Sequence, residues 1–280
     1  MADKPKSPPL TTPLATATRP LLAAFVQERD FAARQYKGRR ENQEDYYAFA
    51  DATAPEDEPL TQLLLAIGDG LGAHAGGSVA SYLGVGSFIK SYHDSDLSPS
   101  WRLRVALEAA NETIGMMTAR LPQVHNMMGT TLMAVLITQS TMQWISVGDS
   151  LLYLYRDGKV RRMNEDHSLA PLLAERVKRG DLTEEEAAKH PDRHTLQSAL
   201  LGLPIALVDN PASPTELKKG DIIIGASDGI LTLSDKQLED MLSFGRHTTA
   251  DKIADAIIFA IRRINYERQD NTTVGVVKIG

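Results

Sequence analysis

The sequence predicts an α+β chain: a central, mostly antiparallel β-sandwich flanked by α-helices on both outer faces, four layers in the order αββα. Two observations carry this. Several short apolar runs follow one another through tight polar turns, whereas parallel βαβ units need crossovers of a dozen or more residues. Long helical patterns with one apolar face stand on either side of those runs, and such faces must be buried against a sheet.

The first 20 residues carry five of the 14 prolines with several Thr and Ala, and read as a disordered leader. Residues 21–280 read as one domain, because no linker-like stretch interrupts the pattern after the leader. Gln62 to Ile67 is an apolar strand ending in Gly68-Asp69-Gly70. Gly76 to Tyr92 is a helix rich in small residues, able to lie close against a sheet, and Leu97 to Leu121 is a second helical segment. Thr130 to Thr138 and Met142 to Val147 form strands joined by a short polar turn. Leu151 to Arg156 and Lys159 to Met163 flank Asp157-Gly158, a tight hairpin signal. Residues 175–197 form a long polar insert, read as a flap, in which Thr183 opens a short helix. Asp221 to Gly225 is a further strand. Ser234 with Gln237 forms a capping box before Leu238, and Thr248 with Asp251 resembles another. Thr249 to Tyr266 places Ile253, Ile257, Ile261 and Ile264 on one face, and Thr272 to Ile279 is the last strand.

At 280 residues, 42% of them hydrophobic, the chain can bury a full core. The net charge of -6, without basic clusters interleaved with aromatics, argues against a nucleic-acid surface. Cysteine is absent, which excludes disulfides, thiolate metal sites and thiol nucleophiles. No apolar run approaches the ~18 residues of a membrane span, so the expectation is a soluble, cytoplasmic protein.

Acidic motifs recur beside the strand-like runs: Glu44-Asp45, Asp69-Gly70, Asp149 in Gly148-Asp149-Ser150, Asp228-Gly229 and Asp270-Asn271. Carboxylates at strand ends sit on rigid edges facing loops, where oxygen ligands can converge on a hard cation such as Mg²⁺ or Mn²⁺. Taken singly, each has an ordinary alternative. Asp69 fits a turn Asp equally well, Asp149 fits a hairpin turn better, Asp270 has the alternative of a turn that starts the last strand, and Glu44-Asp45 lies in a charged run suited to a solvated loop. His74 reads first as a loop residue, and His167 as a hydrogen-bonded structural histidine. Neither GxxxxGK[ST] nor GxGxxG is present, which weakens a nucleotide-phosphate reading of the glycines after Asp69.

In chain order the pieces are R-x-x-x-E-D at Arg40 to Asp45, DGxG-x-H at Asp69 to His74, Gly129-Thr130-Thr131, Gly148-Asp149-Ser150 and Asp166-His167-Ser168. His190-Pro191-Asp192-Arg193, Ser227-Asp228-Gly229 and Asp270-Asn271-x-Thr273 follow. This series resembles the metal-dependent PPM (type 2C) serine/threonine protein phosphatases in their compact bacterial form, from about Arg40 to the C-terminus. The resemblance implies hydrolysis of phosphoserine and phosphothreonine by in-line attack of a water bridging two ions, with two or three Mn²⁺ or Mg²⁺ as cofactors. It implies Asp69, Asp228 and Asp270 as catalytic metal ligands, the Gly70 carbonyl as a further ligand, and Glu44 and Asp45 acting through metal-bound water. Asp149, with Asp228, would form a third-metal site. Arg40 would bind the substrate phosphate, with Arg39 as the fallback. Partners would be phosphoproteins made by a Ser/Thr kinase, met by a monomer. Leu151 replaces an Arg common in the family, and Leu71 stands where some eukaryotic members carry a proposed general-acid His. The alternatives are a regulatory or binding module of the same fold that has lost its chemistry, and a hydrolase of small phosphoesters.

Overall fold

The structure, a computed structural model, describes residues 24–52, 61–72, 76–120 and 128–280. The leader expected over residues 1–20, and His74, lie outside them. The described elements run β1 (Phe31–Tyr36), β2 (Asp45–Asp51), β3 (Leu63–Gly72), α1 (Gly76–His93), α2 (Pro99–Arg120), β4 (Met128–Thr130), β5 (Leu132–Ile137) and β6 (Thr141–Val147). Then come β7 (Leu151–Arg156), β8 (Lys159–Arg162), α3 (Ala170–Arg179), α4 (Glu184–Ala188), β9 (Thr215–Glu216) and β10 (Ile222–Ala226). A 3₁₀ turn (Asp228–Thr232), α5 (Asp235–Gly245), α6 (Ala250–Ile264) and β11 (Thr272–Lys278) complete the order.

Two antiparallel sheets form the centre. One has the order β1-β11-β10-β7-β8; the other has β2-β3-β5-β6-β9, with β4 paired to β3. Each central strand is apolar on both faces because each face meets a different layer, which is why these strands read as continuous apolar runs. In β3, Leu63, Leu65 and Ile67 point into the inter-sheet core with Met133, Val135, Leu152, Leu154, Ile223 and Val277. Leu64 and Ala66 point the other way, under α1 and α2, against Val85, Phe88, Leu107 and Ile114. Ile222 and Ile224 of β10 face α5 and α6 through Leu242, Ile253, Ile257 and Ile261. The layers are therefore helix, sheet, sheet, helix, as the sequence predicts.

Leu65 shows how closely the sheets approach. It lies over Gly225 and Gly275, which are paired across β10 and β11. A Cβ on Gly275 would stand 2.8 Å from a Leu65 methyl, and one on Gly225 2.4 Å from the Met133 methyl. Leu65→Ala is expected to cost about 2–5 kcal/mol, the range for truncating a buried leucine in a core that relaxes only partly. Urea denaturation checks it, and a loss under about 1 kcal/mol would mean that the sheets close onto the void.

Three local expectations change. The strand expected over Thr130 to Thr138 is broken at Thr131 into β4 and β5, because β3 runs past Ile67 and pairs first with β5 and then with β4. The Thr248–Asp251 box does not form. Thr249 is the N-cap of α6, its hydroxyl bonds Asp251, and Thr248 bonds the Gly245 carbonyl instead. β1 and β2, absent from the expected set, are full strands on the edges of the two sheets. By contrast, the Ser234–Gln237 box is formed, and Asp157 and Gly158 both take positive φ in the β7–β8 hairpin. The insert is partly helical: it holds the end of α3 and then α4, capped by a Thr183–Glu186 box.

Candidate active site

The strand ends that carry acids meet at one edge of the sandwich. Asp45 begins β2 and is the direct cross-strand partner of Asp69 in β3. Two like charges in register oppose sheet formation, so this pairing needs a compensating gain. Asp228 opens the 3₁₀ turn just after β10, Asp270 lies two residues before β11, and Asp149 occupies the β6–β7 connection that crosses between the sheets. A pocket of about 250 Å³ is lined by Arg40, Glu44, Asp69, Gly70, Asp149, Asp228 and Asp270, together with Thr131, His194 and Asn271. Asp45 lies just beneath, 5% exposed.

Several of these segments are held by partners remote in sequence. The Ser227 and Thr273 hydroxyls donate to Asp45 Oδ2 at 2.7 and 2.8 Å, tying β2 to the opposite sheet. The Thr130 hydroxyl and the Thr131 amide donate to the Asp69 carbonyl, and the Asp69 amide donates to the Thr131 hydroxyl at 3.0 Å. Asn271 is a junction: its Nδ2 donates to the Lys37 and Asn42 carbonyls at 2.7 and 3.0 Å, and its Oδ1 accepts the Glu44 amide at 2.7 Å. Gly148 turns the chain before Asp149 at φ 103°, where a side chain would be strained and would strike Thr131. His167 Nδ1 accepts the Gly148 amide at 3.2 Å, a structural role as expected. At Gly70 a Cβ would stand 2.2 Å from the Gly77 carbonyl in the first turn of α1, so only glycine lets β3 and the helix meet there.

Arg40 forms an ion pair with Asp270 at the pocket mouth, and the surrounding acids raise its pKa against the cost of burial. Arg39 turns away to Asn265. The acids line a pocket whose protein walls displace part of their hydration. That desolvation, with mutual repulsion second, pushes Asp228 up to about 8 and Asp69 well above the usual carboxylate range. Asp45 rises to about 6, held down in part by its two hydroxyl donors, and Asp149 to about 6. Glu44 is also raised, chiefly by burial.

A crowd of anions around one guanidinium has the chemistry to take a cation and a phosphate together. Residues 42–250 match the family model of Protein phosphatase 2C. The chain belongs to the protein phosphatase 2C family. Among its relatives is the serine/threonine protein phosphatase PstP of Mycobacterium tuberculosis, 33% identical over 206 residues, 71% of this chain. The match spans only 36% of that relative's length. The Streptococcus agalactiae serine/threonine phosphatase superposes with a TM-score of 0.74 at 28% identity, covering 90% of this chain and 99% of that one. A PstP catalytic domain in complex with two manganese ions superposes with a TM-score of 0.68 at 27% identity, covering 88% and 96%.

Do the residues of this protein phosphatase 2C chain fit divalent ions? As the side chains stand, Asp270 is turned to Arg40 and Asp45 to its hydroxyls, and among the described residues no three acids or histidines form a finished ligand set. The donors fit in kind: carboxylates, the Gly70 carbonyl and no sulfur, the oxygen set that hard cations take. Asp45 Oδ1 and Asp228 Oδ1 are buried without a hydrogen-bond partner, a costly arrangement that a cation would relieve. The residues therefore fit. Three pocket residues, Thr131, His194 and Asn271, carried no functional reading in the sequence. Thr131 and Asn271 lay inside quoted motifs, and His194 directly follows His190-Pro191-Asp192-Arg193. Leu151 is buried against the α5–α6 layer, so the family's Arg would find no solvent there.

Proposed function

We propose that the chain is a Mn²⁺- or Mg²⁺-dependent protein phosphatase acting on phosphoserine and phosphothreonine in proteins phosphorylated by Ser/Thr kinases. One observation carries the reading: carboxylates from both sheets face a single pocket whose mouth holds Arg40. Asp69, the Gly70 carbonyl, Asp228 and Asp270 would hold two ions, Glu44 and Asp45 would act through water, and Asp149 with Asp228 would serve a third. Divalent ions bound there supply Lewis-acid polarisation of the phosphoryl group and an activated water.

The chain's own residues supply placement and charge. Arg40 offers a planar fork of donors suited to phosphate oxygens. Trading its bond to Asp270 for the substrate would free the Asp270 carboxylate, so substrate and cation loading are linked through one ion pair. Burial and crowding disfavour the ionised form of these acids, and a bound cation would favour it. Asp45 is fixed through Oδ2 by Ser227 and Thr273, which leaves Oδ1 without a protein partner.

The test is phosphate release from a phosphothreonine peptide, with Mn²⁺ and with chelator. Release only with the ion is expected, and no release under either condition would overturn the proposal. In the same assay Arg40→Ala is expected to raise KM about tenfold or more, the weight of one charge-assisted hydrogen bond, with kcat largely kept. A fall confined to kcat would remove Arg40 from the binding role.

A further inference from the structure

A larger cavity of about 550 Å³ opens beside the acid pocket and shares Arg40, His194, Asp228 and Asp270 with it. Its outer wall has a different chemistry. Leu231, Ile264 and Tyr266 are 50%, 43% and 52% exposed there, an apolar strip beside a strongly anionic site. The floor beneath is fixed: the Thr232 hydroxyl donates to Gln269 Oε1 at 2.7 Å, and Gln269 Nε2 donates to the Gly229 carbonyl at 3.0 Å. Arg268 stands exposed on the same wall, and among the described residues no carboxylate pairs with it.

We propose that this groove seats the polypeptide next to the phosphorylated residue, and that it selects segments carrying an apolar side chain and a carboxylate near the phosphate. The inference rests on the phosphatase reading and deepens it. Continuity decides the occupant. A phosphate at Arg40 places its neighbouring residues, each spanning at most about 3.6 Å of chain, over the strip from Leu231 to Tyr266. Apolar contact there removes three exposed side chains from water. The carboxylate answers Arg268, a cation facing no partner on a protein whose net charge is -6. A basic segment would meet Arg268 with like charge, so this cation discriminates by repulsion as well as attraction.

The experiment uses the full chain with Mn²⁺. Phosphothreonine peptides carry leucine beside the phosphoresidue, and Glu or Lys is scanned through three positions on either side. Serine replaces the leucine in a parallel set, and p-nitrophenyl phosphate and a nucleoside monophosphate complete the panel. The preferred Glu peptide is expected to exceed its Lys counterpart by tenfold or more in kcat/KM, mainly through KM, and leucine to exceed serine. Arg268→Glu should reverse the Glu-over-Lys ratio and Arg268→Lys should keep it. A ratio is insensitive to the fraction of folded enzyme. Equal ratios in the wild type and Arg268→Glu, or a nucleotide preferred to every peptide, would overturn the proposal. If p-nitrophenyl phosphate and every peptide were inert, the phosphatase reading itself would fail. Turnover of p-nitrophenyl phosphate without peptide preference would remove only the groove.

Discussion

Asp69→Asn is expected to lower Mn²⁺-dependent phosphate release by about a thousandfold, the scale on which loss of one preorganised charge-stabilising group is felt. The change keeps the shape of the side chain and the Thr130 and Thr131 bonds to its backbone. It removes a charge set directly opposite Asp45. With chelator present, the same variant should therefore melt at a higher temperature than the wild type, because a carboxyl whose ionisation is opposed first by burial and then by its acidic neighbours has gone. Lost activity joined to gained stability cannot come from misfolding. Activity within tenfold of the wild type would take Asp69 out of the reaction.

Without divalent ions, the protein is expected to lose stability as the pH rises from about 4 to about 8. Asp228, raised to about 8, and Asp45 and Asp149, raised to about 6, bind protons in the folded state at pH values where the unfolded chain has released them. Where the folded state holds more protons, stability falls with rising pH. Asp69 acts in the same direction. His167, whose pKa burial lowers, acts in the opposite sense but is a single group. The lowered acids Asp30 and Asp251 titrate below this window. Saturating Mn²⁺ should reverse the slope, since the ions favour the deprotonated acids and stabilise the form that binds them. Thermal melts at pH 5 and pH 8, with chelator and with Mn²⁺, give the four values needed. A chelated protein more stable at pH 8 than at pH 5 would show that the acids are not crowded as described.

The sequence made the sandwich legible where a strand is buried on both faces. β3, β6, β10 and β11 stand out as apolar runs because each touches two layers. β1 and β2 did not stand out, since edge strands carry mixed burial: β2, with Tyr46, Tyr47 and Phe49, follows a charged run that resembles a loop. Motif by motif, the acids could not be told from turn residues. Their order along the chain suggested a common site, and the structure brings Glu44, Asp69, Asp149, Asp228 and Asp270 to one pocket with Arg40. His194 could not be read because its place depends on how residues 190–197 fold back over the pocket mouth. No local pattern encodes that path.

Asn271 carries a consequence of its own. Its amide grips the 37–44 segment from the far end of the chain, so the seat of Arg40 is set by a side chain more than two hundred residues away. Asn271→Ala would leave the guanidinium and the carboxylates chemically intact while untethering the arm that aims them. The aim of Arg40 thus hinges on a quiet fastener as much as on the groups at the pocket itself.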